Sequence, residues 1–182
     1  LLTRIMKFGN TLYRHYSACI LMMLLLACNN NKAKDPGKVT DPAEMNSRVA
    51  GNIHDVLNAG LFDTGKIDDS TKLHSPDVIQ AFYSRSDHRP VWSSMEKWMP
   101  MADTLFRFIA QAEQEGLFPA DYHFTSLKFL KDTLDADSLT RMHAALWTKA
   151  DLLLTDGFMH IIRDLKQGRL QLTLAVEQVA TR

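Results

Sequence analysis

The feature that most constrains this chain is a long helical pattern in its C-terminal half, at residues 138–166. Large apolar side chains recur there at spacings of three, four or seven, which places them along one side of an α-helix. They are Trp147, Leu154, Phe158, Ile161 and Leu165. Gly157 interrupts the pattern, and a glycine inside a helix costs up to about 1 kcal/mol relative to alanine. The pattern therefore predicts either one helix with a close crossing at Gly157 or two helices that meet there, and Gly168 is expected to end the run.

Shorter segments with the same period precede this run. Ser75-Pro76-Asp77 is a strong helix start, because serine caps a helix, proline fits its first position and the acid faces its positive end. The predicted helices cover residues 43–59, 75–84, 100–115 and 125–134. The sequence predicts a loop at residues 61–73, and no hairpin or alternating strand is recognisable. We predict an all-α fold, an irregular bundle of about five helices that follows a signal peptide and a flexible tether.

The N-terminal part carries an export signal. A ten-residue apolar run at residues 18–27 follows the basic residues Arg4, Lys7 and Arg14. A membrane-spanning helix needs about 20 apolar residues, whereas the apolar core of a secretory signal has roughly 7–15. The run therefore predicts a signal peptide at residues 1–27 and a protein of the cell envelope.

Leu25-Leu26-Ala27-Cys28 resembles a bacterial lipoprotein box. The resemblance implies cleavage before Cys28 and lipid attachment to that cysteine, which would anchor the chain to a membrane and expose it to the periplasm. An ordinary signal peptide, or a short buried helix with a chance cysteine, is the alternative. Cys19 is the only other cysteine and lies inside the run, so no disulfide framework is expected within the chain.

After cleavage the chain is close to neutral, and we predict that it forms one domain. It keeps 18 basic and 21 acidic residues, a net charge of −3, which argues against a nucleic-acid partner. Residues 28–43 are rich in Asn, Lys, Asp and Pro and predict a flexible tether. We assign the folded domain to residues 44–170 and an atypical tail to residues 171–182.

Histidine and aspartate pairs are the first candidates for chemistry. Asp121 and His123 share a loop, and Asp156, His160 and Asp164 share one helix face by their spacing of four. They are either a metal site or proton relay, or a solvated or ion-paired helix face. We favour the second interpretation, because the spacing indicates no third ligand and no His-Glu-x-x-His string occurs. The sequence thus predicts no metal and no cofactor.

Two aromatic loops are candidates for binding. One contains Arg89 and Trp92, and the other contains Asp121 and Tyr122. These four residues are predicted to contact a ligand or another domain, with Trp92 or Tyr122 stacking on a sugar or peptide. The alternative, which we favour for the rings, is that they plug the ends of the bundle. No glycine-rich phosphate loop and no Gly-x-Ser-x-Gly elbow occurs.

Three strings in order resemble one family. They are Ile79-Gln80-Ala81-Phe82-Tyr83 running to Arg89-Pro90-Val91-Trp92, the string Glu115-Gly116-Leu117-Phe118-Pro119-Ala120-Asp121-Tyr122-His123, and Leu152-Leu153-Leu154-Thr155-Asp156-Gly157-Phe158 running to Asp164-Leu165-Lys166-Gln167-Gly168-Arg169. Together they are similar to the N-terminal scaffold domain of the large L,D-transpeptidases of Gram-negative envelopes. The likeness covers roughly residues 75–170, most of the predicted mature chain.

The resemblance implies a role in peptidoglycan cross-linking and cell-wall biogenesis. Enzymes of this family act through a cysteine thioester, on a catalytic domain with a His and a Ser-x-Gly-Cys motif that this chain lacks. We carry over no catalytic residue and expect a non-catalytic scaffold region, whose partners are a membrane, peptidoglycan or a catalytic transpeptidase domain. The missing nucleophile motivates the hypothesis that the gene is truncated or frameshifted near the tail.

Two other classes stay open. The first is a stand-alone lipid-anchored binding or adaptor protein of the envelope, with the Trp92 and Tyr122 loops as its contact surface. The second is a complete enzyme of another type, for which no convergent site is recognisable.

Overall fold

Six α-helices dominate residues 37–168, the part of the chain that the computed structural model describes. They are α1 (Met45–Leu57), α2 (Pro76–Arg85), α3 (Pro100–Ala110), α4 (Phe124–Ala136), α5 (Ser138–Arg141) and α6 (Ala144–Gln167). Short 3₁₀ helices lie at Pro42–Glu44, Phe62–Thr64, Ala112–Glu115 and Pro119–Tyr122. The predicted helical fold is confirmed. All these residues belong to one compact unit that begins at Pro36.

Helix α6 is the centre of the bundle, and α1, α2, α3 and α4 all pack against it. It continues without a break through Gly157, so the predicted division into two helices there is wrong. A Cβ atom at Gly157 would lie 3.2 Å from the backbone oxygen of Tyr122. The predicted close approach is therefore confirmed, although a 3₁₀ helix (Pro119–Tyr122) makes it. Leu165, which the pattern places inward, is 57% exposed.

The long run breaks before α6 begins. His143 has an extended backbone and separates α5 from α6. Residues of the N-terminal segment pair with this break: the Val39 N–H donates to the Met142 oxygen at 2.8 Å, and the Ala144 N–H donates to the Gly37 oxygen at 2.7 Å. The backbone N–H and C=O groups that would form hydrogen bonds within a continuous helix bond here to Gly37 and Val39 instead.

The same pairing changes the N-terminal boundary. Val39 is 3% exposed and belongs to the core, and Asp41 caps the 3₁₀ helix that leads into α1. Residues 37–43, which the composition assigns to the tether, thus pack onto the domain because burial of Val39 offsets the cost of ordering them. Residues 1–36, with the predicted signal peptide and Cys28, and the tail after Gly168 lie outside the described residues.

A small antiparallel hairpin, β1 (Ser93–Ser94) with β2 (Lys97–Trp98), also departs from the sequence prediction. Its strands are too short for an alternating pattern to show. The start of α2 departs in a detail: Pro76 and Asp77 stand as predicted, but the Ser75 side chain makes no capping hydrogen bond. Within residues 37–168, no helix is both long enough and apolar enough to cross a membrane.

Candidate functional site

Polar side chains on α6 form two clusters inside the domain. The first is centred on Asp151, which is 1% exposed. Its carboxylate accepts the backbone N–H groups of Val91 at 3.0 Å and Trp92 at 2.9 Å, and the Tyr83 hydroxyl at 2.6 Å. Burial raises the pKa of Asp151 to about 6, although these hydrogen bonds act in the opposite direction. The cluster fixes the loop after α2 to the central helix.

Thr155 lies one turn further along α6 and completes this first cluster. Its hydroxyl oxygen is 2.8 Å from Nε1 of Trp92 and 2.7 Å from the Tyr83 hydroxyl, and its O–H donates to the Asp151 carbonyl. The Trp92 ring is 4% exposed and packs edge-on against Phe158. Every polar group of the cluster has a partner, as buried polar groups require.

The second cluster is centred on Asp156, which is fully buried. The carboxylate accepts the backbone N–H groups of His74 at 2.9 Å and Ser75 at 3.0 Å, at the start of α2. Nε2 of His123 lies 2.7 Å from the same carboxylate. Burial alone would raise the pKa of Asp156, but the hydrogen bonds from His123 and the two backbone groups lower it.

Three imidazole rings meet around this carboxylate. The His74 ring centroid is 4.9 Å from that of His123 and 4.4 Å from that of His160. Burial lowers the pKa of both His74 and His160. His74, His123 and Asp156 each offer a donor atom within 4.8 Å of the other two, so these residues could hold a metal ion.

His160 also lies 3.3 Å from Asp164, which accepts the Tyr122 hydroxyl at 2.9 Å.

The four predicted contact residues lie in different surroundings. Tyr122 is fully buried and Trp92 nearly so, and neither ring offers a face to solvent in this structure. Asp121 is half-buried. Arg89 is the accessible member, with a side chain that is 77% exposed and 3.6 Å from Asp87. Ligand or inter-domain contact through these residues stays a prediction.

The carboxylates of the predicted helix face of Asp156, His160 and Asp164 pair with imidazole rings, Asp156 with His123 at 2.7 Å and Asp164 with His160 at 3.3 Å. It is buried, however, so the solvated alternative is wrong. Sequence reasoning missed His74, because 82 positions separate it from Asp156 and no spacing rule links them. It also missed the pairing of Tyr83 with Asp151, although Tyr83 stands in a string already singled out.

A comparison of the sequence with protein families identifies the family of this chain. The family model described as the scaffold domain matches residues 77–178, more than half of the chain. This chain belongs to the scaffold domain family. The matched range holds the whole Asp151 cluster together with Tyr122, His123 and Asp156, whereas His74 precedes it. No curated protein and no solved structure matches the chain.

Proposed function

We propose that this scaffold domain is the non-catalytic part of an envelope L,D-transpeptidase and holds a catalytic domain in place for peptidoglycan cross-linking. Membership of the scaffold domain family supports the scaffolding role in this proposal. The three strings that resemble the N-terminal region of L,D-transpeptidases support the enzyme class.

One observation carries the proposal: the three strings meet one another inside the domain. Tyr83 and Trp92 of the first string bond to Asp151 and Thr155 of α6. In the second string, His123 pairs with Asp156 and Tyr122 bonds to Asp164. Residues of the three strings thus bond to one another inside the domain, and such bonds support a framework that holds another domain in place.

The described residues supply no nucleophile of the kind that this chemistry requires. Acyl transfer through a thioester needs a cysteine thiolate beside a base. Residues 37–168 contain no cysteine, and the two in the sequence are Cys19 and Cys28. We therefore assign the reaction to a separate domain.

The proposal includes a lipid anchor at Cys28 and a location in the envelope, facing the periplasm. The box before Cys28 and the basic, apolar segment in front of it support this part. The net charge of −3 expected after cleavage fits a partner other than nucleic acid.

The test is a reconstitution with the purified full chain. We expect no cross-linked muropeptides from the chain alone, and a larger cross-linked fraction when it is added to an L,D-transpeptidase catalytic domain from the same genome. Cross-linking by the chain alone would contradict the proposal, as would an unchanged fraction. An R89A variant tests whether the exposed arginine contributes to the domain contact.

A binding or adaptor lipoprotein is the competing function, and a pull-down on purified sacculi separates it. Strong retention of the chain on sacculi, without any effect on the catalytic domain, would favour the adaptor. That function relied on the Trp92 and Tyr122 rings as a contact surface, and both are buried.

A further inference from the structure

The cluster around Asp156 joins three segments that are far apart in the sequence. His74 precedes α2, His123 follows a 3₁₀ helix, and Asp156 lies in the middle of α6. His123 has a left-handed backbone, with φ of 61°, and α4 begins directly after it. The loop conformation therefore directs this imidazole toward α6.

We propose that His74, His123 and Asp156 form a binding site for a divalent transition metal ion of the zinc type. Neutral imidazole and carboxylate are the donors that Zn²⁺ takes in proteins, and two histidines with one carboxylate form a common three-ligand set. Hard cations such as Mg²⁺ prefer oxygen donors and do not fit this set.

The donor atoms are near enough to admit the ion after an adjustment of up to about 1.5 Å. All three donor atoms lie within 4.8 Å of one another. Around a tetrahedral zinc ion with bonds near 2.0–2.1 Å, neighbouring donor atoms stand about 3.3 Å apart. The present 2.7 Å between Nε2 of His123 and the Asp156 carboxylate is a hydrogen bond. The metal ion takes the place of the proton between them.

The surroundings of the three ligands resemble those of known metal sites. The N–H groups of His74 and Ser75 hold the Asp156 carboxylate, as outer-shell donors hold metal-bound carboxylates. His74 is exposed, which provides an entry path. Nδ1 of the neighbouring His160 is buried and has no hydrogen-bond partner within residues 37–168. A water molecule on the fourth position of the ion is the kind of group that would satisfy it.

A purely structural role for the cluster makes a different prediction. The anchoring of α2 to α6 uses the backbone N–H of His74, and the His74 ring makes no hydrogen bond with other described residues. A metal site, in contrast, needs the ring nitrogen. Replacing only this side chain therefore separates the two roles and leaves the anchoring bonds in place.

The test is calorimetric titration of the full chain with ZnCl₂, in a C19S/C28S background so that no thiol binds the ion. We expect one equivalent of Zn²⁺ and a higher melting temperature in its presence. The H74A variant should bind at least about tenfold more weakly, since even the outer partners of metal ligands are worth 10–100-fold. An H54A/H88A variant is the matched control, because these two histidines lie in a separate ring pair.

Failure of Zn²⁺ to bind would overturn the proposal, as would equal affinity of wild type and H74A. Equal binding of Mg²⁺ and Zn²⁺ would also overturn it, because the donor set would then not be selective. The H123N variant gives a second readout, since asparagine tolerates the left-handed backbone at this position; its affinity should fall as well. None of these outcomes depends on the transpeptidase assignment, which the reconstitution tests.

Discussion

At the scale of single residues, the buried Asp151 holds the first cluster together. Its carboxylate is the common acceptor for two backbone N–H groups of the loop after α2 and for the Tyr83 hydroxyl. Burying a carboxylate is costly, and these donors offset part of the cost. The loop path through Val91 and Trp92 therefore depends on one side chain.

The D151N variant should lose on the order of 3 kcal/mol in the free energy of unfolding at pH 7. An amide has one acceptor oxygen, so its NH₂ group would face N–H donors that then remain unpaired. Urea denaturation measures the loss. D69N, at an exposed position, is the control and should stay within about 0.5 kcal/mol of wild type. Equal stability of the two variants would contradict this role for Asp151.

The raised pKa of Asp151 predicts a pH dependence of stability. The folded carboxyl binds its proton below about pH 6, whereas in the unfolded chain it does so only near pH 4. Between these values the folded state holds more protons, so this group adds stability as the pH falls.

Relative to D151N, the free energy of unfolding of wild type should therefore rise between pH 6.5 and 4, by up to about 3 kcal/mol. The variant is compared at each pH, which cancels the contribution of the other carboxyl groups. Tyr83 is the titratable side chain bonded to Asp151, and its pKa is raised well above the ordinary value, outside this window. A constant difference, or one of the opposite sign, would refute the prediction.

The contact between Trp92 and Thr155 gives a third prediction. In T155V, a substitution of similar shape, the buried Trp92 N–H loses its acceptor, and the free energy of unfolding should fall by about 1–3 kcal/mol. The W92F variant removes the donor as well. The loss in W92F/T155V should then be smaller than the sum of the single losses, as a double-mutant cycle measures. Additive losses would show that the bond contributes nothing.

At the scale of elements, α6 differs from an ordinary amphipathic helix because it is buried on all sides over residues 150–157. Such a helix has no face for unpaired polar groups, which explains why its Asp and Thr side chains all have partners. The absence of a side chain at Gly157 lets the 3₁₀ helix (Pro119–Tyr122) approach closely. That approach brings Tyr122 and His123 to their partners on α6.

The G157A variant should lose about 1 kcal/mol, because its Cβ would meet a backbone oxygen at 3.2 Å that cannot move cheaply, and this outweighs the gain in helix propensity. G51A in α1 is the matched control. Nothing lies within 4 Å of its Cβ position, so it should gain up to about 1 kcal/mol. Thermal or urea unfolding measures both, and a stabilised G157A would contradict the close approach.

At the scale of the whole molecule, the segment before α1 belongs to the folded unit. Its pairing with residues 142–144 separates α5 from α6, and Val39 fills the core. Fewer residues would thus separate the proposed lipid on Cys28 from the described part of the domain than composition predicts. A shorter segment keeps a scaffold nearer to its membrane.

The membrane anchor gives the last prediction. The C28S variant, expressed as the full chain in a Gram-negative host, should move from the membrane fraction to the soluble fraction, because the lipid supplies the membrane affinity. C19S is the control and should stay with the membrane, since Cys19 lies in the segment predicted to be removed. Immunoblots of the fractions measure both, and a membrane-bound C28S would refute lipid anchoring.

Local sequence patterns were sufficient to predict most helices, but they were not sufficient to predict the two polar clusters. The start of α2 at Pro76 and the continuous period of α6 come from short-range rules, so they were predictable. The break at His143 was not, because a segment about a hundred positions away makes it. For the same reason His74 could not be joined to Asp156, although both residues are plain in the sequence.

The sequence by itself determined that this chain is helical, and it contains the three strings that lie within the range matched by the scaffold domain family. Those features depend on neighbours within a few residues, where periodicity and capping act. Only the tertiary structure decided that Asp151 fixes a loop and that three histidines surround Asp156. Each of these depends on distances between residues remote in the chain, which packing around α6 sets.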